Sequence, residues 1–444
     1  MLSILFLLPF LINSQLICPS QHITSGKGSI PSDASKFTVL PANFNCDYQF
    51  DVPSGFALSL RFYASYDSGT ANITYVDNLG NSARIGANTN NLPQWAVQPN
   101  AHVIVKTTSA TSKLLIYYEF VDISKYYRIR FPTGKVLSLA TFQDQTYYTF
   151  YSQNMDSVVL NLAKSFNNYR VPSSNYYIFD GDNIVTAKMI GRLSDYLTTS
   201  INSTGSSISL VNFYGTRYSD FIISNDKKSI DSFAKYSFSV LANNPTYPQT
   251  DLTFVPGYSA ATFYCVDCES LYLESLGFYP TGSVQLVPLA PTNKIDPVLT
   301  YNSNTFNNST QLPQVIPNKL FTIIYNGKYI ETHLGVKSDN WLKPSNGRQG
   351  FMFSPTVWKA GTQSVFSYFF DSDISYKFSL GFLQKIVDSN SNLEISIGTS
   401  SSTNIYTNST ALDYFSAVGT HMNVTFKGDY KSFLTLQFNT TLPN

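Results

Sequence analysis

Charge is scarce in this chain. Only 13% of its 444 residues are Asp, Glu, Lys or Arg, about half the usual share, and 29 basic against 28 acidic residues leave a net charge of +1. No run of Lys and Arg builds the electrostatic footprint that a nucleic acid requires, so that class of partner is excluded. Histidine is scarcer still: His22, His102, His333 and His421 are the four, and no carboxylate stands at a telling spacing from any of them. Gly257-Tyr258-Ser259-Ala260-Ala261 misses the Gly-x-Ser-x-Gly elbow at its last residue and lacks the strand–turn–helix setting. Asp371-Ser372-Asp373 begins like a helix–loop–helix calcium loop but lacks the glycine and the closing Glu. Asp180-Gly181-Asp182-Asn183 has the chemistry of an ordinary turn. The sequence therefore predicts no catalytic residue, no cofactor and no enzyme.

Long apolar runs are also missing. No stretch reaches the roughly 18 residues a membrane helix needs, and the C-terminal LTLQFNTTLPN lacks the hydrophobic tail of a GPI signal. The opening MLSILFLLPFLINS is apolar over Leu2 to Ile12 and ends in small polar residues, which predicts a signal peptide over 1–14 and an extracellular, secreted product. Seven Asn-x-Ser/Thr sequons agree with that route: Asn72, Asn202, Asn307, Asn308, Asn408, Asn423 and Asn439.

Four cysteines divide as one pair in each half. A Cys18–Cys46 bridge would close a 28-residue loop and stabilise it by about 3–4 kcal/mol on the chain-entropy model. Cys265 and Cys268 pose a geometric problem. Three residues apart in a continuous strand, they would stand about 10 Å apart on opposite faces, beyond the roughly 7 Å reach of a disulfide. A local bridge therefore requires a turn at Val266-Asp267. A Cys-x-x-Cys can alternatively serve redox chemistry at a helix N-terminus or half of a zinc site, and other pairings are open. The expectation is a local disulfide, with no metal.

What the chain has in quantity is Tyr and Phe, 31 and 33 residues, which suit pleated, half-buried surfaces. Short alternating runs recur throughout. LPANFNCDYQFDVPSGFALSLRFY, from Leu40, holds the second cysteine, a Pro-Ser-Gly turn and a strand with Phe56, Leu58, Leu60 and Phe62 on one side and Ser59, Arg61 and Tyr63 on the other. No helical periodicity of any length competes with this pattern. The fold class is all-β, as tandem antiparallel sandwiches. Composition and turns divide the chain into 15–122, 123–245, 246–337 and 338–444.

Internal echoes link the first and third segments: LPQWAVQPNAHVIVKT from Leu92 lines up with LPQVIPNKLFTIIYNG from Leu312, and FTVLP from Phe37 with LTFVP from Leu252. The third then reads as a diverged copy of the first, and the fourth as a copy of the second, making two tandem pairs. Within the third, Asn326-Gly327 predicts a tight hairpin turn.

The pattern Cys18, Ile-x-x-Gly, Leu40-Pro-x-Asn, Cys46-x-Tyr, Pro53-x-Gly and LLIYYEFVDI resembles the CUB-like domain of nematode secreted proteins over about 18–122. That resemblance implies a jelly-roll-like sandwich and a role in innate immune defence against bacteria. The second cysteine pair of classical CUB domains is missing here. Of the loop acidic residues that bind calcium in many of them, only Asp67 and Asp77 match. Binding rather than catalysis is the expected activity, with an extracellular protein or glycan ligand, microbial surfaces included. Arg61, Tyr63 and the loops Tyr66–Thr70 and Asn78–Asn90 are the candidate contacts, and packing on a neighbouring domain is the commoner fate of a strand side such as that of Arg61 and Tyr63. The alternative class is a structural component of an extracellular coat or matrix, which low charge and abundant Tyr also suit.

Overall fold

Alternate residues of the strand Phe56–Ser65 part company as their pattern requires: Leu58, Leu60 and Phe62 are fully buried while Arg61 faces water. The computed structural model describes residues 18–443 except 164–174, 198, 216–219, 243–248, 254–256, 293, 295, 387–390, 399–403 and 407–413. The expected leader over 1–14 and the sequon at Asn408 lie outside the described residues.

The first module contains β1 (Lys27–Ile30), β2 (Thr38–Val39), β3 (Asn45–Asp51), β4 (Phe56–Ser65), β5 (Ala71–Val76), β6 (Ser82–Arg84), β7 (Asn88–Val97), β8 (Asn100–Thr107) and β9 (Lys113–Asp122). Its front sheet runs β3-β8-β5-β6, and its back sheet β9-β4-β7 with β1 and β2 on β9. The two sheets enclose one core of Leu58, Leu60, Phe62, Ile73, Val103, Val105 and Ile116. Cys18 is bonded to Cys46 with Cα atoms 5.4 Å apart.

The second module contains β10 (Tyr127–Pro132), β11 (Val136–Ser138), β12 (Thr146–Tyr151), β13 (Val158–Leu162), β14 (Tyr176–Asp180), β15 (Lys188–Arg192), β16 (Ile201–Asn202), β17 (Ser207–Asn212) and β18 (Phe221–Asp226). Its front sheet runs β10-β12-β17-β14-β15 and its back sheet β11-β18-β13-β16. Matched strand for strand, this is the order of the first module. Even the parallel β10–β12 pair has a counterpart in the parallel bridge between Ile23 and Phe50.

The third module is one folded sheet: β19 (Lys235–Leu241), β20 (Gln249–Thr253), β21 (Gly257–Cys265), β22 (Leu271–Pro288), β23 (Leu299–Asn302), β24 (Gln314–Ile316) and β25 (Leu320–Gly335). The long strands β22 and β25 turn a corner. Tyr325 and Thr332, seven residues apart, bring their hydroxyls within 3.2 Å, which a straight strand at about 3.3 Å per residue could not do. The front half then reads β19-β21-β25-β22-β23 and the back half β20-β25-β22-β24. The fourth module folds likewise from β26 (Arg348–Phe353), β27 (Ser364–Ile386), β28 (Asn392–Ile397), β29 (Asn404–Tyr406), β30 (Tyr414–Gly428) and β31 (Phe433–Thr441). Its front half is β27-β30-β28-β29 and its back half β26-β31-β27-β30.

Four consecutive modules thus share one strand order, in place of two alternating kinds. The segments from Leu92 and Leu312 that echo one another lie at the same place in it, on β7–β8 and β24–β25. Two further expectations are corrected. The run YSFSVLA, assigned to the second segment, is β19, and it pairs in parallel with β21 of the third. Its pattern is that of any strand, and only the pairing partner shows its owner. Asn326-Gly327 makes no hairpin turn: neither residue has a positive φ, and both remain in β25, paired with β21 and β22. Cys265 closes on Cys268 across a bend at Val266-Asp267, with Cα atoms 5.7 Å apart.

The modules stack by repeated faces. Ala57 and Val97 on the first back sheet pack on Tyr147, Tyr177, Val211 and Phe213 of the second front sheet. Val159 on the second back sheet packs with Ala260, Val287 and Ile324 on the third front half. The third junction differs: Gln314 on β24 exchanges hydrogen bonds with the backbone of Phe351 on β26, donating at 2.7 Å and accepting at 2.8 Å.

Candidate binding surface on the first module

The outward side of β4 is shared between two fates. Its lower end, at Ala57, is sealed by the second module, whereas Ser59, Arg61 and Tyr63 lie beyond the seal. Antiparallel register builds rows across the sheet. Ser29, Tyr117, Arg61 and Pro93 form one, and Lys27, Glu119, Ser59 and Trp95 the next. Three aromatic rings edge the surface. Tyr63 meets Tyr117 edge-on at 5.8 Å and Phe37 at 6.5 Å, and Phe37 and Tyr117 keep 46% and 37% of their surface exposed.

Asn91 organises the polar part. It sits in β7 with φ 56°, a left-handed conformation that Asn adopts more readily than most residues, beside a register shift against β4. Its Oδ1 accepts from Tyr63 Oη at 3.1 Å and from Arg61 Nη1 at 3.3 Å. Both side chains are therefore held upright without neutralising the guanidinium. A concavity of about 390 Å³ lies alongside, lined by Lys27, Asp33, Ser59, Arg61, Tyr117 and Glu119. Mixed charge, free hydroxyls and exposed rings suit a polar ligand with an apolar face. Sequence reasoning found Arg61 and Tyr63 but not Asn91, Tyr117 or Phe37; the residue class most enriched at positive φ, directly before Leu92-Pro93, was the available signal.

The other candidates fall elsewhere. Asp77 is occupied as a structural acceptor. Its Oδ1 takes the N–H groups of Leu79 and Asn81, both at 2.9 Å, and its Oδ2 takes Asn81 Nδ2 at 3.3 Å and Arg192 Nη2 at 3.1 Å. Four donors thus surround this one carboxylate, whereas the other calcium candidate, Asp67, is engaged through its carbonyl, which accepts from Thr70. Among the described residues no group of three or more His, Cys, Asp and Glu side chains is arranged to hold a metal. Ser259 is fully buried in mid-strand β21, a site no substrate reaches. Carboxylates do meet two histidines, although spacing did not reveal it: His22 with Asp51 at 3.0 Å and His102 with Asp47 at 3.1 Å. Asp182 in the second-module turn pairs with Arg128 at 3.1 Å. The loop Tyr66–Thr70 closes on itself, Thr70 donating to the Asp67 carbonyl.

Fold and surface together define an all-β protein of stacked antiparallel modules. Residues 13–124 match the CUB-like domain family, so the first module is a CUB-like domain. No curated protein matches the chain. Among solved structures, the CUB1-EGF-CUB2 domains of rat MASP-1 are similar at 10% identity, with 45% of this chain and 99% of that one covered and a TM-score of 0.17. The corresponding human MASP-1/3 domains give 11% identity, 45% and 98% coverage and 0.19. The full extracellular region of zebrafish Gpr126/Adgrg6 gives 9% identity, 93% and 53% coverage and 0.21. Among the described residues no helix is long and apolar enough to cross a membrane.

Proposed function

We propose that this chain is a secreted recognition protein that acts by binding, that the surface around Arg61, Tyr63 and Tyr117 carries the contact, and that its partner is an extracellular protein or glycan, on microbial surfaces in innate defence. The observation that carries this reading is the held but unneutralised Arg61 among exposed aromatic rings on an otherwise weakly charged chain. Inter-module packing uses the adjoining part of the same face, so the site sits on a scaffold braced by two modules, the setting in which surface residues discriminate well. The resemblance of the first module to nematode secreted CUB-like proteins supports the defence setting.

The test uses the full chain, secreted from a eukaryotic host, screened against glycan arrays and bacterial cells. Tyr117→Ala and Arg61→Ala should each weaken the interaction found at least about tenfold, the usual cost of losing a central contact. Val365→Ala, far away in the fourth module, should change nothing. Binding that survives both first-module substitutions would move the site elsewhere. A chain that binds nothing and pellets with insoluble material would favour the matrix role.

A further inference from the structure

Front and back sheet faces that mate within the stack are covered by neighbouring modules, and the same faces elsewhere are bare. The front half of the fourth module is one of these. Its counterparts in the second and third modules receive the preceding back sheet, but the third module reaches the fourth along β24 and β26 instead. This outward side carries two exposed apolar residues on β27, Val365 at 41% and Phe369 at 50%, with the polar Ser367 between them. Directly opposite Phe369 in the register stands Asn423 of β30, the asparagine of Asn423-Val424-Thr425. Its neighbours Met422 and Val424 are fully buried, so Asn423 points outward on the same face as Phe369. Directly opposed residues bring their Cβ atoms to about 5 Å.

Two further faces that meet no other module among the described residues carry the same arrangement. On the back half of the fourth module, exposed Asn439 lies between buried Phe438 and Thr440 and opposite Ser379. On the front sheet of the first module, exposed Asn72 lies between buried Ala71 and Ile73 and opposite Lys106. By contrast, no strand of the front sheet in the second or third module carries a sequon among the described residues. Asn202 sits on the edge strand β16, exposed at the rim of its sheet.

We propose that Asn72, Asn423 and Asn439 are N-glycosylated, and that their glycans cap module faces that no described module covers, the glycan on Asn423 lying over Phe369. In the modification the Asn Nδ2 bonds to the anomeric carbon of a lipid-linked oligosaccharide diphosphate, the anomeric C–O bond breaks, the lipid diphosphate leaves, and Nδ2 gives up one proton. The reaction precedes folding. The fold then decides where each glycan lies. A sugar ring presents a C–H face to Phe369 and hydroxyls to water, so it covers the ring as a neighbouring module would while preventing a second chain from docking there. Stacks of like modules need such a stop, because a face that mates with one copy can mate with another.

This inference rests on the secreted half of the functional reading and not on the Arg61 surface. Failure of ligand binding with Asn423 occupied would defeat one and leave the other standing. The test takes the full chain from a eukaryotic secretory host, removes its N-glycans enzymatically in heavy-oxygen water and maps the labelled Asp by peptide mass. Label at 72, 423 and 439 is expected, and unmodified Asn at position 423 overturns the proposal. The same enzyme applied to the folded protein should shift it from monomer toward larger species in sedimentation. The Phe369→Ser variant, treated identically, should form markedly fewer of these larger species, because the Asn423 face loses its apolar contact. Occupied sites whose removal leaves the wild-type protein monomeric would overturn the capping role.

Discussion

Severing Asp77 from Arg192 should loosen the first two modules together. The pair spans their junction at 3.1 Å, with the side chains only 1% and 15% exposed, and Arg192 also lies 5.1 Å over the ring of Tyr177. Asp77→Asn keeps an oxygen for the N–H groups of Leu79 and Asn81 but strands the Arg192 cation in a buried site. Removing one partner of a buried pair costs about 3–5 kcal/mol. Arg192→Met leaves a carboxylate that still has three N–H donors, so its cost should be smaller, about 1–3 kcal/mol. The double variant should fall short of the sum by about 1–3 kcal/mol, since both substitutions remove one interaction. Hydrogen exchange on the full chain reads this directly. A loss of about 3 kcal/mol speeds exchange roughly 150-fold, and it should do so in 71–97 and 188–214 alike, because Tyr75 and Tyr177 both donate to the Trp95 carbonyl at the same junction, at 2.7 and 2.9 Å. Acceleration under about threefold for Asp77→Asn, or confined to its own module, would refute the pair as a clamp.

Two further outcomes concern the cores. Burial pushes the phenols of Tyr48 and Tyr236 up to about 12, whereas an unfolded tyrosine ionises near pH 10. Below pH 10 both states keep the proton; from there to about pH 12 only the unfolded chain releases it, so stability present below pH 10 is lost across that window. The urea midpoint should fall between pH 10 and 12, with phenolate absorption from these residues appearing only on unfolding; a flat midpoint through that window would remove the argument. At the corner of the third module a Cβ on Gly327 would stand 2.9 Å from the Thr281 carbonyl and 3.2 Å from Gly282 Cα. Neither backbone atom can rotate away. Gly327→Ala should cost about 1–3 kcal/mol, measured as a lower urea midpoint, and an unchanged midpoint would show that the corner yields.

Alternation made the all-β class legible, because the core strands among the described residues keep one apolar side. Pairing partners were another matter. Nothing in the side chains of Tyr236 to Leu241 records that they lie parallel to β21, since a strand's pattern specifies its faces and not its neighbour. Asn326-Gly327 failed for a related reason. The flanking runs are strands, but both pair with β22, so the chain bends between two halves of a sheet instead of reversing. In the candidate site, Arg61 and Tyr63 follow from period-two counting. Tyr117 lies on a strand 54 residues later and Asn91 in a bulge, and only register brings them beside Arg61. The ion pair of Asp77 with Arg192 is hidden in the same way, joined by the stacking of modules.

That stacking does leave a mark in the sequence, once failures of alternation are sought rather than alternation itself. In β3, NCDYQFD alternates cleanly, and its outward Asp47 and Gln49 face no module. In β12, TYYTFY buries five of its six residues, because Tyr147 and Thr149 on the outward side lie against the first module or under the turn at Asp182. Strands β14 and β17 are buried on both sides in the same fashion. A strand apolar or aromatic at both odd and even positions inside an otherwise alternating antiparallel chain therefore marks a face that docks. Tyr suits that position, for its ring fills the junction and its hydroxyl finds a backbone carbonyl across it, as Tyr177 does with Trp95. Part of the tyrosine richness that a matrix protein would also show is accounted for here by module junctions, which weighs toward the recognition reading. By the same rule β27 should be a docking strand, with Phe366 and Phe370 inward and Val365 and Phe369 outward, yet no described module covers its outward side. The Asn423 sequon set opposite Phe369 on this apolar outward side is the arrangement on which the capping proposal rests.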